Sequence, residues 1–233
     1  MRVTKLSVLA LLLSATTLCA QHGDPPVVAP FGKRLDSVCV NDWWNRKKSP
    51  IVDVFVPRDQ VEAFGIYTVH NGVLKMTAQL FPLYPKEDRT VRLEVEQAGK
   101  WVELQRQKVN DIGWATCFRV DGWDASKTVR YRLRHGKEAM FVGSVRKAPD
   151  QNEIVVAALS CNSKKDRGMR PNFVRNLLHQ DPDLLFFAGD QSYDHAQHTA
   201  AWLKFGLQFR DAFRDRPCIT IPDDHDVGHA NLW

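Results

Sequence analysis

Between residues 51 and 147 apolar and polar positions alternate in short runs, at 51–56, 90–95, 114–120, 127–134 and 140–145. A period of two sends one face of each run into a core and the other into water, so each run is predicted to be a strand with one solvated face. Turn-forming pairs punctuate the runs: Asn71-Gly72, Ala98-Gly99, Asp121-Gly122 and His135-Gly136. No helical period competes with this reading.

Beyond Pro149-Asp150 the rhythm changes. Residues 154–159 are a continuous apolar run, as expected of a strand covered on both faces. A helical stretch follows at 171–179, a second buried strand at 183–188, a second helix at 200–213 and a third strand at 218–221. Strand, helix, strand, helix, strand is the order of a parallel α/β sheet. The predicted organisation is therefore an antiparallel β-sandwich over residues 21–150, similar in outline to immunoglobulin-like or fibronectin-like modules. A parallel α/β region over residues 151–233 follows it.

The first twenty residues stand apart. Arg2 and Lys5 precede an apolar run over 6–13, and Leu18-Cys19-Ala20 offers small residues for cleavage, the order of parts in a secretory signal. Residues 1–20 are thus expected to be removed, and the protein to be secreted or periplasmic. Cys19 as a lipidated anchor is the lesser alternative, since Thr17-Leu18 is a weak context for it. No other segment supplies the roughly 20 apolar residues of a membrane span.

Composition narrows the classes further. With 44% hydrophobic and 25% charged residues the chain is that of a folded protein. The formal charge of +5 falls to 5 − 2 = +3 without Arg2 and Lys5, and no basic block with interleaved aromatics suggests a nucleic-acid surface. Besides Cys19 there are Cys39, Cys117, Cys161 and Cys218, an even number in a compartment where disulfides persist. A Cys39–Cys117 bridge and buried thiols are both open readings.

Candidate chemistry collects at the carboxyl ends of the three parallel strands, where the loops of an α/β sheet converge. The first strand ends in Ser160-Cys161-Asn162, the second in Gly189-Asp190-Gln191-Ser192-Tyr193-Asp194, the third in Pro222-Asp223-Asp224-His225-Asp226. Three Asp and two His between positions 223 and 229 would repel and hydrate badly without a cation among them. Taken alone, such a cluster is as readily a solvated turn or a helix cap. Cys161 as thiolate and Tyr193 as phenolate add ligands suited to iron or zinc. Asp223 and Asp226 fit either a role orienting ligands or a cap.

These three segments, in this order, resemble the PhoD-like (alkaline phosphatase D type) metallophosphoesterases: Ala158-Leu159-Ser160-Cys161-Asn162, Phe186-Phe187-Ala188-Gly189-Asp190-Gln191-Ser192-Tyr193-Asp194 and Ile219-Thr220-Ile221-Pro222-Asp223-Asp224-His225-Asp226. That family also carries a β-sandwich ahead of its phosphoesterase domain. The resemblance implies a two-metal site that hydrolyses small phosphate esters. Cys161, Asp190 and Tyr193 would be ligands of a ferric iron, Asp190 the bridge to a second site, and Asp224 a ligand at that second, calcium-type position, with Zn or Mn able to replace either metal. His225 would steady the phosphate or protonate the leaving oxygen. Many relatives have Glu at the position of Asp194 and Gln at that of Asn162.

The family's phosphoesterase domain supplies further His and Asp ligands after its third-strand loop, so the chain is expected to be the amino-terminal portion of a longer exported enzyme, inactive by itself. Three strands and two helices would also leave apolar sheet surface uncovered. The alternative is a non-catalytic exported binding module with a remnant phosphoesterase half. No G-x-G-x-x-G and no G-x-S-x-G supports a dinucleotide-binding or a serine-nucleophile reading.

Overall fold

The computed structural model describes residues 52, 56–150, 153–162, 170–193 and 198–227. The expected signal, Cys39 and Cys19 lie outside the described residues, as do Asp194 and His229.

Seven strands come first: β1 (Glu62–His70), β2 (Val73–Leu80), β3 (Thr90–Gln97), β4 (Lys100–Lys108), β5 (Ala115–Asp121), β6 (Val129–His135) and β7 (Ala139–Val145). They form two antiparallel sheets, ordered β1-β2-β5 and β4-β3-β6-β7. Two hairpins turn on residues in the left-handed region, Asn71 (φ 48°) with Gly72 (φ 71°) and Ala98 (φ 49°) with Gly99 (φ 76°), the conformation a tight two-residue hairpin needs. The sheets meet through β1. Gly65 leaves room for the opposite sheet, since a Cβ there would lie 2.5 Å from Leu133 Cδ1 and 3.3 Å from Phe141 Cδ1. Two residues on, the Tyr67 and Tyr131 rings meet edge to face at 6.1 Å.

The strand expected over 51–56 is not present at Val52 or Val56, which pack irregularly against the core, and its other residues lie outside those described. Three strands that the alternation did not single out are present instead: β1, β2 and β4. The β1 pattern is broken by a bulge between Glu62 and Phe64. β4 has no fully buried residue, so its sequence shows little apolar rhythm.

The parallel sheet has three strands, β8 (Val156–Leu159), β9 (Leu184–Ala188) and β10 (Cys218–Ile221), in the order β10-β9-β8. Helix α1 (Arg170–Gln180) links β8 to β9, and α2 (His198–Phe213) links β9 to β10. A single turn, α3 (Asp224–Val227), follows β10. Phe205, Phe209 and Phe213 recur every four residues on α2, and Phe187 of β9 sits against the first two with ring centroids 4.9 Å apart in each case. The expectation that β8 is covered on both faces is not met. Ile154, Val155 and Val156 are 53%, 58% and 43% exposed, because β8 is an edge strand and α2 covers one face of the sheet, the face of Leu185 and Phe187. Among the described residues no helix is long and apolar enough to cross a membrane.

Helix α2 also binds the antiparallel sheets, so one hydrophobic core runs through the described residues. Phe64 of β1 packs on Trp202 and Phe213 at 6.0 and 5.9 Å. Gly206 is the contact point, since a Cβ there would lie 1.9 Å from Phe64 Cε1. Around this contact Arg210 Nε donates to Ala63 O (2.6 Å), Arg214 Nη1 to Val142 O (2.8 Å) and Trp202 Nε1 to Gln79 Oε1 (3.0 Å). At the same seam Glu62 is 1% exposed and neither carboxyl oxygen has a hydrogen-bond partner. Burial pushes its pKa well above the usual carboxylate value, and the nearby Arg210 guanidinium only partly offsets this.

Two predictions follow from this seam. Gly to Ala inside a helix normally stabilises by roughly 1 kcal/mol. Gly206→Ala is expected to do the opposite, destabilising by about 1–3 kcal/mol in urea unfolding, because the methyl meets a packed ring. Glu62 binds its proton more tightly folded than unfolded, so stability present below pH about 4.5 is lost as the pH rises from there toward the raised folded value. Glu62→Gln should therefore unfold at higher urea than the parent at pH 7 and show a flatter pH dependence between pH about 4.5 and 8.

Candidate metal centre

The three parallel strands end level, since Leu159 pairs with Phe187 and Ala188 with Ile221. The loops at 160–162, 189–193 and 222–227 therefore leave one edge together. The backbone bends sharply in two of them: Cys161 (φ 56°) and Asp190 (φ 57°) both adopt the left-handed region, at a cost of about 1–3 kcal/mol each. Gly189 (φ 89°) makes a third such residue, and a Cβ on it would lie 2.5 Å from Asp223 Cβ. The glycine before Asp190 is thus what lets the third loop lie down on the second.

The geometry brings all five candidate residues to one place. Asp190, Asp224 and His225 present ligand atoms within 4.8 Å of one another. The Tyr193 hydroxyl donates to Asp190 Oδ2 at 2.9 Å, and the Cys161 thiol donates to the same oxygen at 3.7 Å. The Tyr193 and His225 rings lie against each other with centroids 4.1 Å apart. Asp190 is buried, and its other oxygen, Oδ1, has no hydrogen-bond partner. A buried carboxylate oxygen left without a partner costs on the order of 1–3 kcal/mol or more, and a cation between Asp190, Asp224 and His225 would remove that cost. Two carboxylates, an imidazole, a thiol and a phenol fit an iron or zinc type ion better than magnesium. Burial first, then the hydrogen bonds to Cys161 and Asp190, push the Tyr193 phenol above its ordinary pKa.

Asp226 caps α3 and bridges two loops. Its Oδ2 accepts from Asp223 N (3.1 Å), the reach-back of a helix capping box, while Oδ1 accepts from Ser192 N (3.2 Å) and so joins the second loop to the third. Asp223 Oδ1 accepts from Asp224 N at 2.8 Å. Two residues outside the candidate ligand set also hold the loops. Gln191 Nε2 donates to Ile221 O (3.0 Å), and Asn162 Nδ2 donates to Gln191 O (3.1 Å) and to Gln208 Oε1 on α2 (3.0 Å). The D-x-x-D spacing at 223–226 signals the cap. Nothing local to Gln208 signals its contact.

No protein-family profile and no curated protein sequence matches the chain. Solved structures match it in fold. A purple acid phosphatase isolated from yellow lupin (Lupinus luteus) seeds aligns with 70% of the chain at TM-score 0.51 and 13% identity. The structure of PhoD aligns with 74% of the chain at TM-score 0.59 and 19% identity. The fold is PhoD-like. The chain spans 41% of the PhoD structure's length and 34% of the lupin phosphatase's.

Gly189→Ala tests how the loops are stacked. The added Cβ meets Asp223 Cβ at 2.5 Å with φ at 89°, so the variant is expected to lose about 1–3 kcal/mol in urea unfolding and to bind Co(II) more weakly in a spectroscopic titration.

Proposed function

We propose that this chain is part of an exported, metal-dependent phosphoesterase that hydrolyses small phosphate esters with two metal ions. In this reading residues 1–20 are a signal peptide, residues 21–150 a β-sandwich, and residues 151–233 the amino-terminal part of the phosphoesterase domain. That the chain aligns with only 41% of the PhoD structure supports treating it as a portion of a larger enzyme. The observation that carries the reading is the buried Asp190, which has one oxygen, Oδ1, without a hydrogen-bond partner and presents a carboxylate oxygen within 4.8 Å of ligand atoms on Asp224 and His225.

Cys161, Asp190 and Tyr193 would hold a ferric iron. Asp190 would also face the second position, of calcium type, together with Asp224. Metal ions held there would neutralise the phosphoryl oxygens and supply an activated water. The protein's own part is positional. Asp190 Oδ2 collects the Cys161 thiol and the Tyr193 hydroxyl, which leaves Oδ1 for the second position. His225, half-buried with its ring centroid 4.1 Å from that of Tyr193, would steady the phosphate or protonate the leaving oxygen.

The test is metal content by elemental analysis after incubation with Fe(III) and Ca(II), with hydrolysis of a chromogenic phosphate monoester and diester measured on the native exported protein. Asp190→Asn is expected to lower metal uptake by about tenfold or more and to abolish hydrolysis. Unchanged metal content in that variant would overturn the proposal and favour a non-catalytic binding module.

A further inference from the structure

Every strand-end loop at the centre is tied to its neighbour by a carboxamide, and the chain of ties begins outside the centre, on α2. Gln208 Oε1 accepts from Asn162 Nδ2 at 3.0 Å, and the other hydrogen of the same Nδ2 goes to Gln191 O at 3.1 Å. Gln191 in turn donates through Nε2 to Ile221 O at 3.0 Å, where β10 ends. One line of hydrogen bonds thus runs from α2 through the first and second loops to the third. Asn162 is next to Cys161, whose left-handed backbone (φ 56°) donates from its N to Gly189 O over a long 3.3 Å. The thiol itself is exposed and reaches Asp190 Oδ2 at 3.7 Å. Its place over Asp190 depends on Asn162 being fixed.

We propose that Gln208 is a positioning residue for the metal centre, acting through Asn162 to hold the Cys161 loop against Asp190. This rests on the metal-binding reading above, but the contact has consequences of its own. Asn162 Oδ1 is already buried without a partner. If the acceptor at position 208 is lost, one hydrogen of Nδ2 is stranded as well, and the loop relaxes outward until water satisfies both. Gln208 lies between Phe205 and Phe209 on a helix packed from both sides, so it ties the centre to the firmest part of the core.

Two variants separate the contact from packing. Gln208→Leu removes the acceptor at similar volume, and Gln208→Glu keeps an acceptor oxygen. Both are compared with the parent by Co(II) titration, by thiolate-to-cobalt charge-transfer absorption, by amide hydrogen exchange across 160–162 in metal-free protein, and by melting temperature. Gln208→Leu is expected to bind Co(II) about tenfold more weakly, to lose most of the charge-transfer absorption, and to exchange the Cys161 and Asn162 amides faster. Gln208→Glu should stay within about twofold of the parent in affinity and keep its exchange pattern, since the hydrogen bond is retained. The proposal is overturned if Gln208→Leu matches the parent in exchange and Co(II) binding, or if both variants are impaired equally. A parent that takes up no Co(II), with exchange accelerated in Gln208→Leu alone, would overturn the metal-binding reading while leaving the contact as described.

Discussion

The structure turns on the packing of α2 between the parallel sheet and the antiparallel sheet that contains β1. One side of the helix presents Phe205 and Phe209 to Phe187 at 4.9 Å, and another presents Gly206 and Trp202 to Phe64 of β1. A residue with a side chain at 206 would push Phe64 away, and with it β1, whose carbonyls at Glu62 and Ala63 accept from Arg210. Among the described residues the parallel sheet has three strands, too few to bury both faces, and the antiparallel sheets complete its core through this helix. The buried Glu62 is tolerated at the same seam because ordinary burial around Phe64 offsets the cost of a carboxyl without partners.

That dependence explains which features were legible in the sequence. β10 over 218–221 and helix α2 over most of its length stand out because the apolar period is local and dense there. The three strand-end loops stand out for a different reason: Cys161, Asp190, Tyr193, Asp224 and His225 are residue types that are costly near one another without a ligand, so their order along the chain carries chemical information. β1 and β4 were not legible. In β1 a bulge shifts the register between Glu62 and Phe64, and in β4 every residue is at least partly exposed. The apolar run at 154–159 looks identical whether one face of the strand is covered or two. Contacts such as Gln208 with Asn162, 46 residues apart, follow only from the way α2 lies across the sheet.

Strain and charge at the centre are balanced by different means. The left-handed backbones of Cys161 and Asp190 aim both side chains at one point, and non-glycine residues remain in that region only where their surroundings hold them. Those surroundings are loop-to-loop hydrogen bonds: Asn162 N to Asp190 O at 2.8 Å, Ser192 N to Asp226 Oδ1 at 3.2 Å and Asp223 N to Asp226 Oδ2 at 3.1 Å. Each bond joins a loop to the next or folds a loop on itself, so no single loop fixes the geometry alone.

The choice of side chains in this frame follows from what they surround. A centre rich in carboxylates would gain electrostatically from a nearby Lys or Arg, but such a cation would pair with Asp190 and satisfy the oxygen that is now left open. Among the described residues the side chains that tie the loops are Asn162, Gln191 and Gln208, which carry no charge, and Asp226, whose two oxygens each accept a backbone N–H. The framework therefore fixes the positions of the candidate ligands while leaving Asp190 Oδ1 without a protein partner. A site built only for stability would gain by pairing that oxygen. Buried and open, it is the feature on which the proposed metal-binding reading rests.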